Sequence, residues 1–145
     1  MMVKKLMTGL VLLILAGCEN YQLTLNQREL YSPPTLFTDY QVTDAGLRAC
    51  IKQTISDQDI VRAEQLTALI CTYSGIETLS DLGRFTQLET VNLANNRLKN
   101  IKPLLFLGQL QRVNISDNPD LVCADIKPLT DLLPNAPVTS LNCPD

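Results

Sequence analysis

The residues of this chain best able to do chemistry are its five cysteines, Cys18, Cys50, Cys71, Cys123 and Cys143. They lie far apart, whereas a thiol-redox enzyme is expected to carry C-x-x-C. The chain has no histidine. That excludes a His-based triad, a Cys-His dyad and a His zinc site. Among the carboxylates, Asp117, Asp120 and Asp125 gather in one stretch. A calcium site needs several oxygens converging on one point. The spacing here lacks the glycine and the closing glutamate of an EF-hand loop, so turn and cap carboxylates are the expected role. A glycosidase needs two carboxylates facing each other across a cleft, and no pair here is placed that way. No catalytic residue, metal ligand or cofactor is expected, and no enzyme. The net charge is −3 with no basic stripe, which argues against nucleic acid.

What must position any functional side chain is a repeat. Leu66, Leu88 and Leu110 are spaced by 22 residues. The first unit reads Leu66, Leu69, Cys71, Ile76, Leu79, Leu82, Phe85. The second reads Leu88, Val91, Leu93, Leu98, Ile101, Leu104, Leu107, and the third begins Leu110, Val113, Ile115, Leu121. Asn96 and Asn118 hold the ninth position of their units, where the first unit has Ser74. The pattern L-x-x-L-x-L-x-x-N-x-L falls within the leucine-rich repeat class. Its spacing predicts short strands, because residues two apart share one face. The Asn would bond backbone groups of a tight turn. One unit cannot bury its own apolar edge; about three stacked units can. The expected fold is an α/β leucine-rich repeat solenoid over residues 66–145. Its short parallel strands form the concave face, and loops or 3₁₀ turns form the convex side.

Outward strand positions then form columns. One is Ala68, Thr90, Arg112, Ser140, and the next is Ile70, Asn92, Asn114, Asn142. Two more are Thr72, Ala94, Ser116 and Tyr73, Asn95, Asp117. Singly, exposed polar residues need no explanation. As a face, amide and hydroxyl rows suit a peptide backbone or glycan hydroxyls. The expected partner-binding residues are Tyr73, Thr90, Asn92, Asn95, Arg112, Asn114 and Asp117, with an unidentified protein or peptide as partner. A structural envelope protein without a specific ligand, or one that binds glycan or peptidoglycan, is the alternative. A monomer is expected.

The N-terminus is a targeting segment. Lys4 and Lys5 precede the apolar run Leu6–Leu15, too short to span a bilayer. It ends in Leu15-Ala16-Gly17-Cys18, which resembles the bacterial lipobox. That resemblance implies removal of residues 1–17, diacylglyceryl attachment to the Cys18 sulfur and acylation of its new amine. Glu19, rather than an Asp, points to the outer membrane. The expected location is therefore that membrane, held by the lipid, on its periplasmic face or at the cell surface. Cleavage removes Lys4 and Lys5 and takes the net side-chain charge from −3 to −5.

Residues 18–36 read as a tether stiffened by Pro33-Pro34, in preference to a short strand at Tyr21, Leu23 and Leu25. Residues 37–65 read as a helical cap. Asp44 or Thr43 can start a helix over 43–56, with Leu47, Cys50, Ile51 and Ile55 on one face. Such a cap covers the open edge of the first unit. A Cys50–Cys71 bridge would staple the two together. The four thiols left after lipidation make two disulfides expected. The stretch from DIVRAEQLTALICTYSGIETLSDL through ANNRLKNIKPLLFLGQL is similar to the internalin-type bacterial leucine-rich repeat, helical cap included. The likeness covers roughly residues 37–134 and implies fold only. The third unit departs from the period: Ile126-Lys127-Pro128-Leu129 follows Ile101-Lys102-Pro103-Leu104 by 25 positions. Val138-x-x-Leu141-x-Cys143 then repeats the strand pattern. Cys123 in the enlarged loop is expected to bridge Cys143 and close that end.

Overall fold

The computed structural model describes residues 23–133 and 138–139. The chain divides into two compact units, Met1–Pro34 and Thr35–Asp145. In the first, β1 (Leu23–Leu25) and β2 (Arg28–Tyr31) form an antiparallel hairpin with Thr24 opposite Glu29 and Leu25 opposite Arg28. A hairpin therefore lies inside the stretch read as a tether. The physical reason is its two-residue loop. Asn26 and Gln27 both have positive φ, 50° and 63°, as the tightest hairpin turn requires, and Asn tolerates that region well. Cys18 and Tyr21 lie outside the described residues, as does Cys143 with its expected bridge to Cys123.

The second unit opens with α1 (Ala45–Asp57) and a 3₁₀ turn at Ala63–Gln65. Then come β3 (Ala68–Ile70), β4 (Thr90–Asn92), β5 (Arg112–Asn114) and β6 (Val138–Thr139), all parallel and in the order β3-β4-β5-β6. The strands pair step for step: Leu69 lies opposite Val91 and Val91 opposite Val113. Between strands the chain returns through 3₁₀ turns at Leu82–Arg84, Lys102–Phe106 and Cys123–Asp125. The last return adds a short helix, α2 (Lys127–Leu132), where only loops or 3₁₀ turns are expected. Its Pro128 stands in the first turn, where a missing N–H costs nothing, and Thr130 N donates to Ile126 O as α geometry demands.

The repeated apolar offsets all point inward. Leu66, Leu88 and Leu110 are buried, as are Cys71, Leu93 and Ile115. On the return path Ile76 and Leu98, Leu82, Leu104 and Leu129 are likewise buried in one cluster that also takes Leu47, Ile51 and Ile55 of α1. β6 corrects one expectation. Val138 pairs with Val113 and Thr139 with Asn114, so the strand meets the sheet three residues earlier than the match to Leu141 implies. The cause is the period: three extra residues before Ile126 place the partner of Val113 25 positions later, at Val138, rather than 22. Thr139 is thus the residue paired with Asn114; Ser140 and Asn142 lie outside the described residues.

Two asparagines tie successive units. Asn96 Oδ1 accepts from Ser74 N at 3.0 Å and Ile76 N at 3.1 Å in the unit before it. Its Nδ2 donates to Cys71 O of that unit at 2.7 Å and to Leu93 O of its own at 2.9 Å. Asn118 does the same one unit later, accepting from Leu98 N and donating to Leu93 O and Ile115 O, each at 3.0 Å. Both are buried.

The first unit has no predecessor, and α1 takes that place. Asp44 caps the helix, accepting from Leu47 N with one oxygen at 2.9 Å. Its other oxygen accepts from Glu77 N at 2.9 Å and Thr78 N at 3.1 Å. Burial opposes ionisation of this carboxyl, but the N–H groups of Leu47, Glu77, Thr78 and Gly46 together outweigh it and hold Asp44 below its ordinary value. A Cβ on Gly46 would collide with the backbone carbonyl oxygen of Ser74. Cys50 and Cys71 are disulfide-bonded with 5.8 Å between their Cα atoms, a link of the kind that contributes about 2–4 kcal/mol.

Two substitutions test this account. Asn96→Ala leaves several buried backbone groups without partners and is expected to lower stability by about 2–4 kcal/mol in urea denaturation; a change under about 0.5 kcal/mol contradicts the bridging role. Gly46→Ala should gain about 1 kcal/mol on helix propensity alone. The contact with Ser74 predicts the opposite sign, a lowered midpoint, and an unchanged or raised midpoint overturns it.

Candidate functional site

The strands are short, so the outward face of the sheet is built from few side chains. Successive residues on a strand alternate in direction. With Leu69, Val91 and Val113 committed inward, their neighbours Ala68, Thr90, Arg112 and Ile70, Asn92, Asn114 face out. The first column is joined across strands, Arg112 Nε donating to Thr90 Oγ1 at 3.3 Å. In the second, the amide oxygens are already engaged: Asn92 Oδ1 accepts from Ala94 N at 3.1 Å, and Asn114 Oδ1 from Ser116 N at 3.0 Å. Each Asn thus closes a turn two residues on, and its amide N–H groups have no hydrogen-bond partner among the described residues.

The third expected column is corrected. Ala94 and Ser116 are buried, and only Thr72 is half-exposed. The strands have ended by that point and the chain enters the left-handed turn, where Asn95 N donates to Ser116 O at 3.0 Å. The fourth column has a backbone cause. Tyr73, Asn95 and Asp117 share the left-handed region, with φ of 54°, 59° and 55°. Asn and Asp tolerate this region, so Asn95 and Asp117 are explained by the turn. Tyr73 is not. A bulky residue there is uncommon and costs on the order of 1 kcal/mol. Its ring is 79% exposed, so packing does not offset that cost.

Three residues before Tyr73, at the end of β3, Ile70 is 55% exposed in a column otherwise made of Asn92 and Asn114. Sequence reasoning selected Tyr73, Thr90, Asn92, Asn95, Arg112, Asn114 and Asp117 but passed over Ile70. The signal was a departure from the repeat, an apolar residue where the next two units carry amides. The sheet brings Ile70, Thr90, Asn92, Arg112 and Asn114 onto one face, with Tyr73 in the turn that leaves β3. Asn95 and Asp117 occupy the equivalent turns after β4 and β5. Among the described residues no group of three Asp, Glu or Cys side chains is placed to hold a metal ion.

No protein-family model matches the chain, and a search of the curated proteins finds no match. Among solved structures it is similar to the CBM51-2 and INT domains of ZmpB from Clostridium perfringens, at 23% identity and a TM-score of 0.41. That likeness covers 59% of this chain and 20% of the other. It is also similar to an internalin from Listeria monocytogenes, at 19% identity and a TM-score of 0.42, over 61% of this chain and 34% of that one. The chain therefore spans a fifth and a third of the lengths of these two structures.

The backbone at Tyr73 allows a direct test. Tyr73→Asn installs the residue found at the equivalent position of the next unit. It is expected to raise stability by up to about 1 kcal/mol by relieving the left-handed tyrosine. Differential scanning calorimetry of the variant reads this, and a lowered midpoint shows instead that the ring supports the fold.

Proposed function

We propose that this chain is a leucine-rich repeat lipoprotein of the bacterial envelope that captures a protein or peptide on the exposed, concave face of its sheet, without catalysis. The observation that carries the reading is the exposed Tyr73, together with the exposed Ile70 three residues earlier. A residue kept in a costly backbone conformation with its ring in solvent is selected for something other than stability. Aromatic side chains are also the commonest anchors of binding energy. The amide N–H groups of Asn92 and Asn114 and the guanidinium of Arg112 then supply hydrogen bonds around an apolar anchor. This is the division of labour between core and rim in protein interfaces.

In this reading Cys18 carries the lipid, the outer membrane holds the protein, and residues 1–17 are removed. Several acyl chains anchor firmly, since each buried CH₂ contributes about 0.8 kcal/mol. The competing reading is a structural lipoprotein that joins the membrane to an envelope assembly with no ligand on the sheet.

Capture from detergent-solubilised envelope separates the two. The wild-type chain is expected to retain a partner that the combined Tyr73→Asn, Asn92→Asp, Arg112→Ala and Asn114→Asp variant loses, the Asp oxygens keeping the turn acceptors, while circular dichroism and melting show the fold intact. Equal retention by the folded variant moves the function off the sheet face.

A further inference from the structure

A second concave site lies in the N-terminal part of the same unit, away from the sheet face. Residues 36–40 cross α1 and leave a cavity of about 390 Å³, bounded on one side by Leu36, Phe37, Thr38 and Tyr40. The other side is the face of α1 that carries Arg48, Lys52, Ile55 and Ser56. That volume is at the lower end of small-molecule sites.

Both walls are held in place. Phe37 N donates to Ile60 O at 2.8 Å. The Phe37 and Tyr40 rings stack at 5.7 Å, and both meet the buried Phe85 edge-on, at 6.4 and 5.9 Å. Asp39 is turned away to Arg84, 2.6 Å distant. On the helix, Arg48 Nη1 donates to Val42 O at 2.9 Å, which fixes the guanidinium at the rim. None of this depends on a ligand, so the cavity is preformed.

Its chemistry is one-sided. The floor is apolar, with Ile55 buried at its base. The rim carries two cations and no carboxylate, although the chain as a whole has net charge −3. Arg48 and Lys52 are one turn apart, so they reach the same side of the helix. Lys52 has no ion-pair partner among the described residues, and the side chain is exposed. Burial pushes the Tyr40 phenol above its ordinary value, so it stays a neutral donor at physiological pH. The hydroxyls of Thr38 and Ser56 complete the rim.

We infer that this cavity receives the C-terminal residue of a peptide, an apolar side chain on the Leu36–Ile55 floor and the free carboxylate between Arg48 and Lys52. An apolar body with one terminal anion matches the floor and the charge together. The volume suits one side chain and leaves no room for a pair of acyl chains. The Thr38 and Ser56 hydroxyls on the same rim can donate to or accept from the peptide's last amide groups. The site is independent of the sheet face and stands or falls apart from it.

The test uses the full chain with N-acetyl-leucine and N-acetyl-phenylalanine as probes, followed by NMR of the Ile, Leu and Phe side chains. Saturable shifts at Ile55 and Leu36 are expected in the millimolar range. The corresponding N-methylamides, which lack the anion, should bind about tenfold more weakly. Lys52→Gln should weaken carboxylate binding severalfold with an unchanged melting temperature, since Lys52 is exposed and has no ion-pair partner among the described residues. Absence of saturable shifts at 10 mM overturns the inference. Equal binding of the methylamides does so as well, as does unchanged binding by the Lys52→Gln chain. Saturable binding of octanoate with no response to either acetylated amino acid overturns the peptide terminus in favour of an acyl-chain site.

Discussion

A three-residue parallel strand cannot stand by itself. It buries one side chain, and its remaining backbone groups must find partners on both edges. What makes β3, β4 and β5 possible is that each is laid on the next with no slip, so that Leu69, Val91 and Val113 meet in one row. That registration is fixed less by the strands than by the turns that follow them. Asn96 and Asn118 reach backward into the previous unit and forward into their own turn at once. A side chain with two donors and one acceptor atom, held at a constant offset from the strand, can do this only if the step between units is constant. The 22-residue period is thus a consequence of hydrogen-bond geometry as much as of apolar burial.

The same constraint explains the N-terminal end. A unit without a predecessor has turn N–H groups with nowhere to go. Ser74 cannot reach as Asn does; its hydroxyl donates only to Thr72 O. Asp44 supplies the acceptors, serving the helix start and the Glu77–Thr78 turn with one carboxylate. For this the helix must approach closely, and at Gly46 there is no room for a side chain. The Cys50–Cys71 disulfide holds the same pair of elements from the other end of the contact. Across the units, Glu77 adds an ion pair with Lys99 in the equivalent position of the next unit, 2.6 Å away. It is exposed and counts for little beside the buried amides.

What could be read from sequence is what repeats. The inward positions recur, so their burial was legible down to Leu104 and Phe85. The helix with Leu47, Ile51 and Ile55 on one face was legible from its period and its capping aspartate. The rest depended on single events. The hairpin at Leu23–Tyr31 rests on a left-handed Asn26-Gln27 loop, and no period announces it. β6 follows an insertion of three residues, after which two registers satisfy the apolar pattern, and the strand pairs at Val138 rather than Leu141. Ala94 and Ser116 sit at positions that alternation assigns to the surface, but the strands end before reaching them. Alternation does not survive the turn.

Departures from the repeat carry more functional information than the repeat does. A position that holds Asn in one unit and Asp in the next is answering to its backbone conformation, which any left-handed turn imposes. Where Tyr73 stands in that series the same conformation is imposed and is less well tolerated, and its exposed ring does not offset the cost by packing. Ile70 follows the same logic with desolvation in place of strain: an apolar side chain in an amide column gains nothing from the sheet. The two are three residues apart on the first unit, next to the helix that ends the array. A ligand anchored there would be held at one end of the sheet and extend across Asn92 toward Arg112 and Asn114, where the remaining donors lie. The face thus grades from an apolar side chain on β3, at the sheet's first edge, to polar ones on β4 and β5.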